Sequence, residues 1–220
     1  MPIAQHHLLS VGYLGSAFIY SNYSNQSHYD QNINADLALN PGGNLSCRLG
    51  NTLRLASEER NSEFSTSRQY LRNAPYFAAT YKLADRWKLG GNYQLDTLEF
   101  ARSIDRFNNY NQQTVGTTLY YRFLPKTTLL AQYIFMYRNY PSFSPDNTYS
   151  SSPLVGLTWA PTAKLSGTIK FGYTFASYET SVPGRNNNPD SWSLIAQLLY
   201  RFSRYTNLSL TAQKSFQQDS

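Results

Sequence analysis

Seven basic residues occupy equivalent places in a repeating sequence pattern, and their charges indicate the chemistry that the chain could support. Each lies in a segment where apolar and polar residues alternate, and each falls on the polar side of that alternation. Successive side chains of a β-strand point to opposite faces of a sheet, so all seven would share the polar face. They are Arg48, Arg54, Lys82, Lys88, Arg122, Lys170 and Arg201.

Only two acidic residues, Asp36 and Asp96, share that parity within the predicted strands. A face with this excess of positive charge would attract anions if it lined a narrow water-filled channel, because the low-dielectric walls focus the electric field. The seven cations are therefore candidate pore-lining residues, and anionic solutes or an acidic polysaccharide are candidate partners. In the alternative, the inward charges pair with one another and with carboxylates in the loops.

The patterns typical of enzymes and metal sites are weak in this sequence. The three histidines, His6, His7 and His28, have no plausible serine–aspartate partner nearby, and no paired carboxylates stand out at strand ends. Metal-ligand spacings, phosphate-binding loops and dinucleotide-binding glycines are absent. We therefore expect no enzymatic activity, no cofactor and no metal. The net charge of +6 is not concentrated in a cluster dense enough to favour nucleic acid.

The cations must be positioned by long strands, of which Lys164–Tyr178 is the clearest. Phe171, Tyr173 and Phe175 fall on one parity of this segment, and Lys170 falls on the other, among serine and threonine residues. The alternation continues for about twelve residues, whereas strands of soluble domains usually run about five or six. A tilted strand that crosses a bilayer needs roughly nine to eleven residues. The segment therefore predicts a transmembrane strand with lipid on its apolar face and water on its polar face.

Composition agrees with a membrane β-barrel. Tyr (19) and Phe (12) are abundant, and charged residues make up only 15% of the 220 residues, below the roughly 25% of an average soluble domain. The mean hydropathy is nonetheless −0.50, and no apolar run is long enough to predict a transmembrane helix. A barrel explains both facts, because only alternate residues of each strand must be apolar. A soluble β-sandwich would normally carry more charge on its exposed faces.

The connections between the predicted strands alternate in length. Short turns lie near Pro41, Asp85, Pro125, Pro161 and Ser203, about 40 residues apart, and one long polar segment separates each pair. In an up-and-down barrel, short turns face the periplasm and long loops face the exterior. We predict a single all-β domain over residues 1–220, an antiparallel up-and-down transmembrane β-barrel. It should have about eleven strands in this chain and twelve in the complete barrel, since bacterial single-chain barrels have even strand numbers.

Aromatic residues recur just before the short turns. Tyr81, Tyr121 and Tyr200 each precede a basic residue, and Trp159 holds a similar place. On the outward parity, these four rings would form an aromatic girdle at the periplasmic membrane interface, where amphipathic rings are enriched. The basic residues that follow the tyrosines would point into the lumen near its periplasmic mouth.

The two ends of the sequence predict a fragment or a trimmed chain. The N-terminal stretch lacks the basic segment and the uninterrupted apolar core of a signal peptide. The last predicted strand ends at Phe216 and is followed by polar residues, whereas a complete bacterial barrel typically finishes its last strand on an aromatic residue. We therefore expect a signal peptide and a final strand to belong to a longer protein.

Two segments, Leu119–Leu130 and Val155–Tyr173, carry a turn and strand pattern that resembles the β-barrel porin type 2 family of Gram-negative outer membranes. The resemblance is best over about residues 110–216. It implies an outer-membrane barrel, in contact with outer-membrane lipid, that is a passive channel or accompanies polysaccharide export. It implies no functional residue, because its motif is a pattern of turns and alternation. The alternatives are a non-conducting barrel that acts as an anchor or scaffold, and a soluble β-sandwich for sugar binding or adhesion.

Overall fold

The alternating segments fold as long antiparallel strands that are hydrogen-bonded to one another in sequence order. The computed structural model describes residues 2–4, 7–21, 27–40, 43–58, 68–142, 144–184, 186–203 and 206–214. The strands are β1 (Pro2–Ala4), β2 (His7–Phe18), β3 (His28–Leu39), β4 (Leu45–Glu58), β5 (Arg68–Lys82), β6 (Trp87–Phe100), β7 (Tyr110–Leu124), β8 (Thr127–Asn139), β9 (Thr148–Trp159), β10 (Leu165–Tyr178), β11 (Ser191–Arg201) and β12 (Asn207–Lys214). The eleven predicted strands correspond to β2–β12 and are confirmed, and β1 is an additional short strand paired with β2.

The up-and-down topology is also confirmed, because each strand pairs with its neighbours in sequence. The register keeps residues of like chemistry in rows across the sheet. Phe171 of β10, for example, lies opposite Val155 of β9 and Leu194 of β11. Within the described chain, no strand pairing joins β12 to β1 or β2. The backbone hydrogen bonds of the interior strands are made within the sheet, as a lipid environment requires.

The two faces of the sheet differ in chemistry. One face carries exposed large apolar side chains, among them Val155 and Phe171 near the middle of their strands. The other carries polar side chains that reach across an intervening strand. Lys170 of β10 donates a hydrogen bond to Gln132 of β8 at 3.0 Å, and a side-chain hydrogen bond joins β5 to β3 in the same way. Such bridges form where a sheet curves toward them, so the polar face is the inner face and the apolar face is the outer one.

Several strands extend further toward the long loops than the sequence predicts. β5 begins at Arg68, where the sequence predicts a strand from Ala74, and β9 begins at Thr148, where the sequence predicts one from Ser152. The predicted loop boundaries are wrong at these points. The polar residues at these strand ends have the composition of a loop. Strand pairing nevertheless continues beyond the apolar band, where the strand ends are surrounded by water and not by lipid.

The connections hold two short 3-10 turns, Ser103–Asn108 and Ser144–Asp146, in regions where the sequence predicts no helix. No helix within the described residues is long and apolar enough to cross a membrane. The short turn at Asp85 is closed by the Leu83 N–H, which donates to the Trp87 carbonyl at 3.0 Å. The turn predicted at Pro41 lies outside the described residues.

Candidate functional site

The inner face carries a basic cavity at the short-turn end of the sheet. The cavity has a volume of about 500 Å³ and extends across five consecutive strands, from β5 to β9. Its charged lining residues are Lys82, Asp85, Arg86, Lys88 and Arg122. The hydroxyl groups of Thr80, Tyr120, Thr128 and Thr158 complete the wall. We call this space the basic cavity.

The single carboxylate of the basic cavity neutralises little of its positive charge. Asp85 lies 3.3 Å from the Lys82 ammonium, but its side chain is 92% exposed, and an ion pair in that setting is weak. Arg122 donates to the backbone carbonyl of Asp85 at 2.6 Å and not to its carboxylate. In the described part of the chain, neither Arg86 nor Lys88 takes part in an ion pair. Four cations therefore face one solvent-exposed carboxylate.

Lys82 and Lys88 are directly opposite each other in the β5–β6 hairpin. Side chains of directly opposed residues lie on the same face about 5 Å apart at their Cβ atoms, and like charges in that position destabilise a sheet. The hairpin thus places two lysines side by side on the inner face. Such an arrangement is relieved by an anion that both lysines can contact.

The other predicted pore-lining residues share the inner face but lie outside the basic cavity. Arg48 is paired with Asp36 at 2.9 Å, and the Tyr76 hydroxyl donates to the same carboxylate. Arg54 lies over the Tyr70 ring at 5.9 Å. The two remaining residues are Lys170, which is bonded to Gln132, and Arg201, which is exposed at the end of β11. The structure therefore brings Lys82, Lys88 and Arg122 together and separates the other four from them.

Sequence reasoning missed an arginine-rich network at the opposite, long-loop end of the inner face. Arg72 makes two hydrogen bonds to the buried Asp96 carboxylate, at 2.8 Å and 2.6 Å, and the Tyr110 hydroxyl lies 3.4 Å from it. Arg138 stacks over the Tyr110 ring at 4.7 Å and donates to Gln112. Arg72 and Arg138 continue the inward parity of β5 and β8. Predicted strands that extended to residues 72 and 138 would have placed both arginines on the inner face.

The two ends of the inner face consequently differ in charge. At the long-loop end, two of the arginines have carboxylate partners: Arg68 pairs with Glu58 at 2.5 Å and lies 3.9 Å from Asp105, and Arg72 pairs with Asp96. At the short-turn end, Asp85 alone faces the cations of the basic cavity. Arg86, Lys88 and Arg122 thus form a cluster of positive charge at the short-turn end, without carboxylate partners among the described side chains.

The four predicted girdle residues all lie on the outer face beside the short turns. Tyr81 is exposed, whereas Tyr121, Trp159 and Tyr200 are partly covered by neighbouring side chains. Trp87, which the sequence analysis did not assign to the girdle, packs on Tyr121 with ring centroids 4.5 Å apart. A role at the membrane interface remains a prediction for these aromatic residues.

A row of polar side chains crosses the outer face near the long loops. Asn73, Thr97, Asn111 and Asn139 lie opposite one another on β5, β6, β7 and β8. Between this row and the aromatic residues, the outer face of β6 is apolar from Trp87 to Leu95 apart from glycine. At about 3.3 Å per residue, that segment is about 26 Å long, or roughly 20 Å high at the usual strand tilt. These limits match the apolar band of an outer-membrane barrel.

Gly167 provides the space for Trp159 on the outer face. A Cβ atom at Gly167 would lie 2.4 Å from the Trp159 ring, whereas one at Gly91 would have no heavy atom within 4 Å. We expect Gly167→Ala to lower the free energy of unfolding by about 1–3 kcal/mol, the usual cost of overpacking. Gly91→Ala, on the same face, is the matched control and should leave stability nearly unchanged. Urea unfolding in lipid vesicles measures both, and equal effects would show that Trp159 does not occupy this space.

The described residues contain no group of three or more histidine, cysteine or carboxylate side chains placed to hold a metal ion. The basic cavity offers ammonium, guanidinium, hydroxyl and phenol groups, together with the Asp85 carboxylate. Its ammonium and guanidinium groups bind oxyanions by charge-assisted hydrogen bonds.

The fold has counterparts among solved outer-membrane proteins. OmpTdeltaL8, a loop L8 deletion mutant of the Vibrio cholerae outer membrane protein OmpT, aligns over 87% of this chain and 62% of its own chain, with a TM-score of 0.57 and 11% identity. A Pseudomonas aeruginosa FadL homologue aligns over 96% of this chain and 67% of its own chain, with a TM-score of 0.49 and 13% identity. The chain thus spans less than two thirds of the length of OmpTdeltaL8. No protein-family model and no curated protein matches the sequence.

The likeness to OmpTdeltaL8 concerns the fold, and it agrees with the chain's own geometry. Long antiparallel strands in sequence order, an exposed apolar outer face and a polar inner face are the properties of a transmembrane β-barrel. The chain therefore has the fold of the bacterial outer-membrane β-barrels.

Proposed function

We propose that the chain forms a passive outer-membrane channel that favours anions, and that it is not an enzyme. The observation that carries this proposal is the basic cavity, where Lys82, Arg86, Lys88 and Arg122 face a single exposed carboxylate. Cations on the inner wall of a barrel raise the local concentration of anions and slow the entry of cations. The cations at the long-loop end contribute less, since carboxylates pair with Arg68 and Arg72 there.

The position of the basic cavity also supports a finer proposal, an association with polysaccharide export. Short turns of outer-membrane barrels face the periplasm, so the basic cavity opens where an exported acidic polymer would enter. The resemblance of Leu119–Leu130 and Val155–Tyr173 to the β-barrel porin type 2 family supports the same association.

Conductance in planar lipid bilayers tests the channel proposal. Under a KCl gradient, we expect single-channel steps with a reversal potential of the sign that chloride selectivity gives. Neutralising the cavity with Lys82→Gln, Lys88→Gln and Arg122→Gln together should lower the ratio of chloride to potassium permeability by roughly tenfold, since field focusing by such groups changes local ion concentration by at least that factor.

A charge-balanced variant provides the control for this experiment. Arg48→Gln combined with Asp36→Asn removes an inner-face ion pair without changing the net charge, so selectivity should stay as in the unmodified chain. A chain that gives no conductance steps at either polarity would contradict the channel proposal and favour a non-conducting anchor. Equal loss of selectivity in both variants would show that the basic cavity does not set selectivity.

A further inference from the structure

We propose that the basic cavity and a smaller cavity beside it form a binding site for an acidic oligosaccharide, a short chain of carboxylated sugars. The inference deepens the proposed function and rests on it in one respect, because the ligand is taken to enter through the lumen. Beyond the basic cavity itself, its evidence is a second cavity that shares three lining residues with the first, a pair of facing lysines, and lining residues that carry hydroxyl and amide groups.

The second cavity extends the site along the inner face toward β4. It has a volume of about 250 Å³ and shares Thr80, Lys82 and Lys88 with the basic cavity. The two lysines therefore lie where the cavities meet. Asn40, Asn44 and Ser46 line the far side of the second cavity. The combined space exceeds what one inorganic oxyanion fills, and it suits a ligand of several connected units.

The facing lysines indicate that the ligand carries negative charge at this meeting point. Lys82 and Lys88 are opposed in register on adjacent strands, and Lys88 makes no ion pair within the described residues. The exposed Asp85 carboxylate beside Lys82 offsets only part of their mutual repulsion. A carboxylate between them converts that repulsion into two charge-assisted hydrogen bonds, which are about twice as strong as neutral ones.

The remaining walls indicate what carries the carboxylates. Thr80, Thr128, Thr158 and the Tyr120 phenol offer hydroxyl groups around the basic cavity, and the second cavity adds two asparagine amides. Hydroxyl and amide groups both donate and accept hydrogen bonds, so they match a ligand that is itself covered with hydroxyl groups. The Thr158 hydroxyl already bonds to the Thr168 hydroxyl at 3.1 Å, and a hydrophobic acid would offer no hydrogen bond to the other three hydroxyl groups. An acidic sugar chain satisfies the cations and the hydroxyl groups together.

Calorimetric titration of the folded chain in detergent tests the site without any need for conduction. The probes are trigalacturonate, maltotriose as the neutral sugar of equal length, and inorganic phosphate. We expect trigalacturonate to bind at least tenfold more tightly than either of the others. Lys88→Gln should weaken that binding at least tenfold while leaving the empty protein as stable as before or more stable, because the repulsion from Lys82 is gone. Arg86→Gln is a second variant with the same expected loss of affinity.

Lys170→Gln is the matched control, since Lys170 lies on the inner face outside both cavities. The affinity of this variant for trigalacturonate should equal that of the unmodified chain. Maltotriose binding as tightly as trigalacturonate would overturn the role of the cations, and phosphate binding as tightly would overturn the sugar. Unchanged affinity in Lys88→Gln and Arg86→Gln would overturn the location. A chain that binds trigalacturonate but conducts no ions refutes only the channel, whereas one that conducts but does not bind refutes only this site.

Discussion

Replacing Phe171 by arginine is expected to destabilise the folded chain in a bilayer by about 2–4 kcal/mol, the cost of a cation on the lipid face near the membrane midplane. Phe171 lies halfway along β10 on the outer face, and 57% of its surface is exposed. Its row neighbours Val155 and Leu194 are apolar, so no carboxylate lies beside it to pair with the guanidinium. Denaturant unfolding in lipid vesicles, followed by tryptophan fluorescence, measures the change.

An arginine on the opposite face of the neighbouring strand is the control. Gln197 lies opposite Thr168, within a few residues of Phe171, and its exposed side chain is on the inner face. Gln197→Arg should change the free energy of unfolding by no more than about 0.5 kcal/mol, as exposed substitutions in water usually do. If the two arginine variants lose equal stability, the assignment of the lipid-facing surface is wrong.

The strands were predictable because the membrane imposes the alternation that marks them. β10 was expected over Lys164–Tyr178 and is found over Leu165–Tyr178. Lipid outside and water inside leave period-two alternation as the one pattern compatible with a spanning strand. The same rule places all seven predicted cations on the inner face.

The limits of the apolar band were harder to predict. Beyond the lipid, pairing between strands is maintained by backbone hydrogen bonds while both faces are wet, so alternation fades before the strand ends. Arg72 and Arg138 lie in this zone. They lie in the ends of β5 and β8 that the sequence did not predict as strand. The ion-pair network at the long-loop end was therefore absent from the prediction.

The residues that line the basic cavity show how far parity alone can predict a site. Parity assigns a face but not a height along the barrel, which depends on the register between strands. Lys82 and Lys88 flank one short turn symmetrically, so their opposition could have been inferred from the hairpin itself. Arg48 and Lys170 have the same parity, but their strands place them elsewhere. Their separation from the cavity follows from cross-strand registers that the sequence does not encode locally.

Replacing Arg72 by methionine should lower the free energy of unfolding by about 2–3 kcal/mol. The substitution leaves the Asp96 carboxylate, whose side chain is only 6% exposed, with the long Tyr110 hydroxyl contact of 3.4 Å as its remaining described hydrogen bond. Losing one partner of a buried pair costs about 3–5 kcal/mol, and solvent around the half-exposed Arg72 reduces that cost. Equilibrium unfolding in denaturant, in lipid vesicles, provides the measurement.

Arg48→Met tests the same kind of pair where water reaches it. The Arg48 side chain is 62% exposed, so its carboxylate partner Asp36 is solvated when the arginine is removed, and the unfolding midpoint should stay close to that of the unmodified chain. Adding Asp96→Leu to Arg72→Met should recover most of the lost stability, because the double variant buries no unpaired charge. If the double variant is as unstable as Arg72→Met, the loss arises from missing packing around Arg72 and not from the exposed charge of Asp96. Recovery would show that Asp96 depends on Arg72 to remain buried.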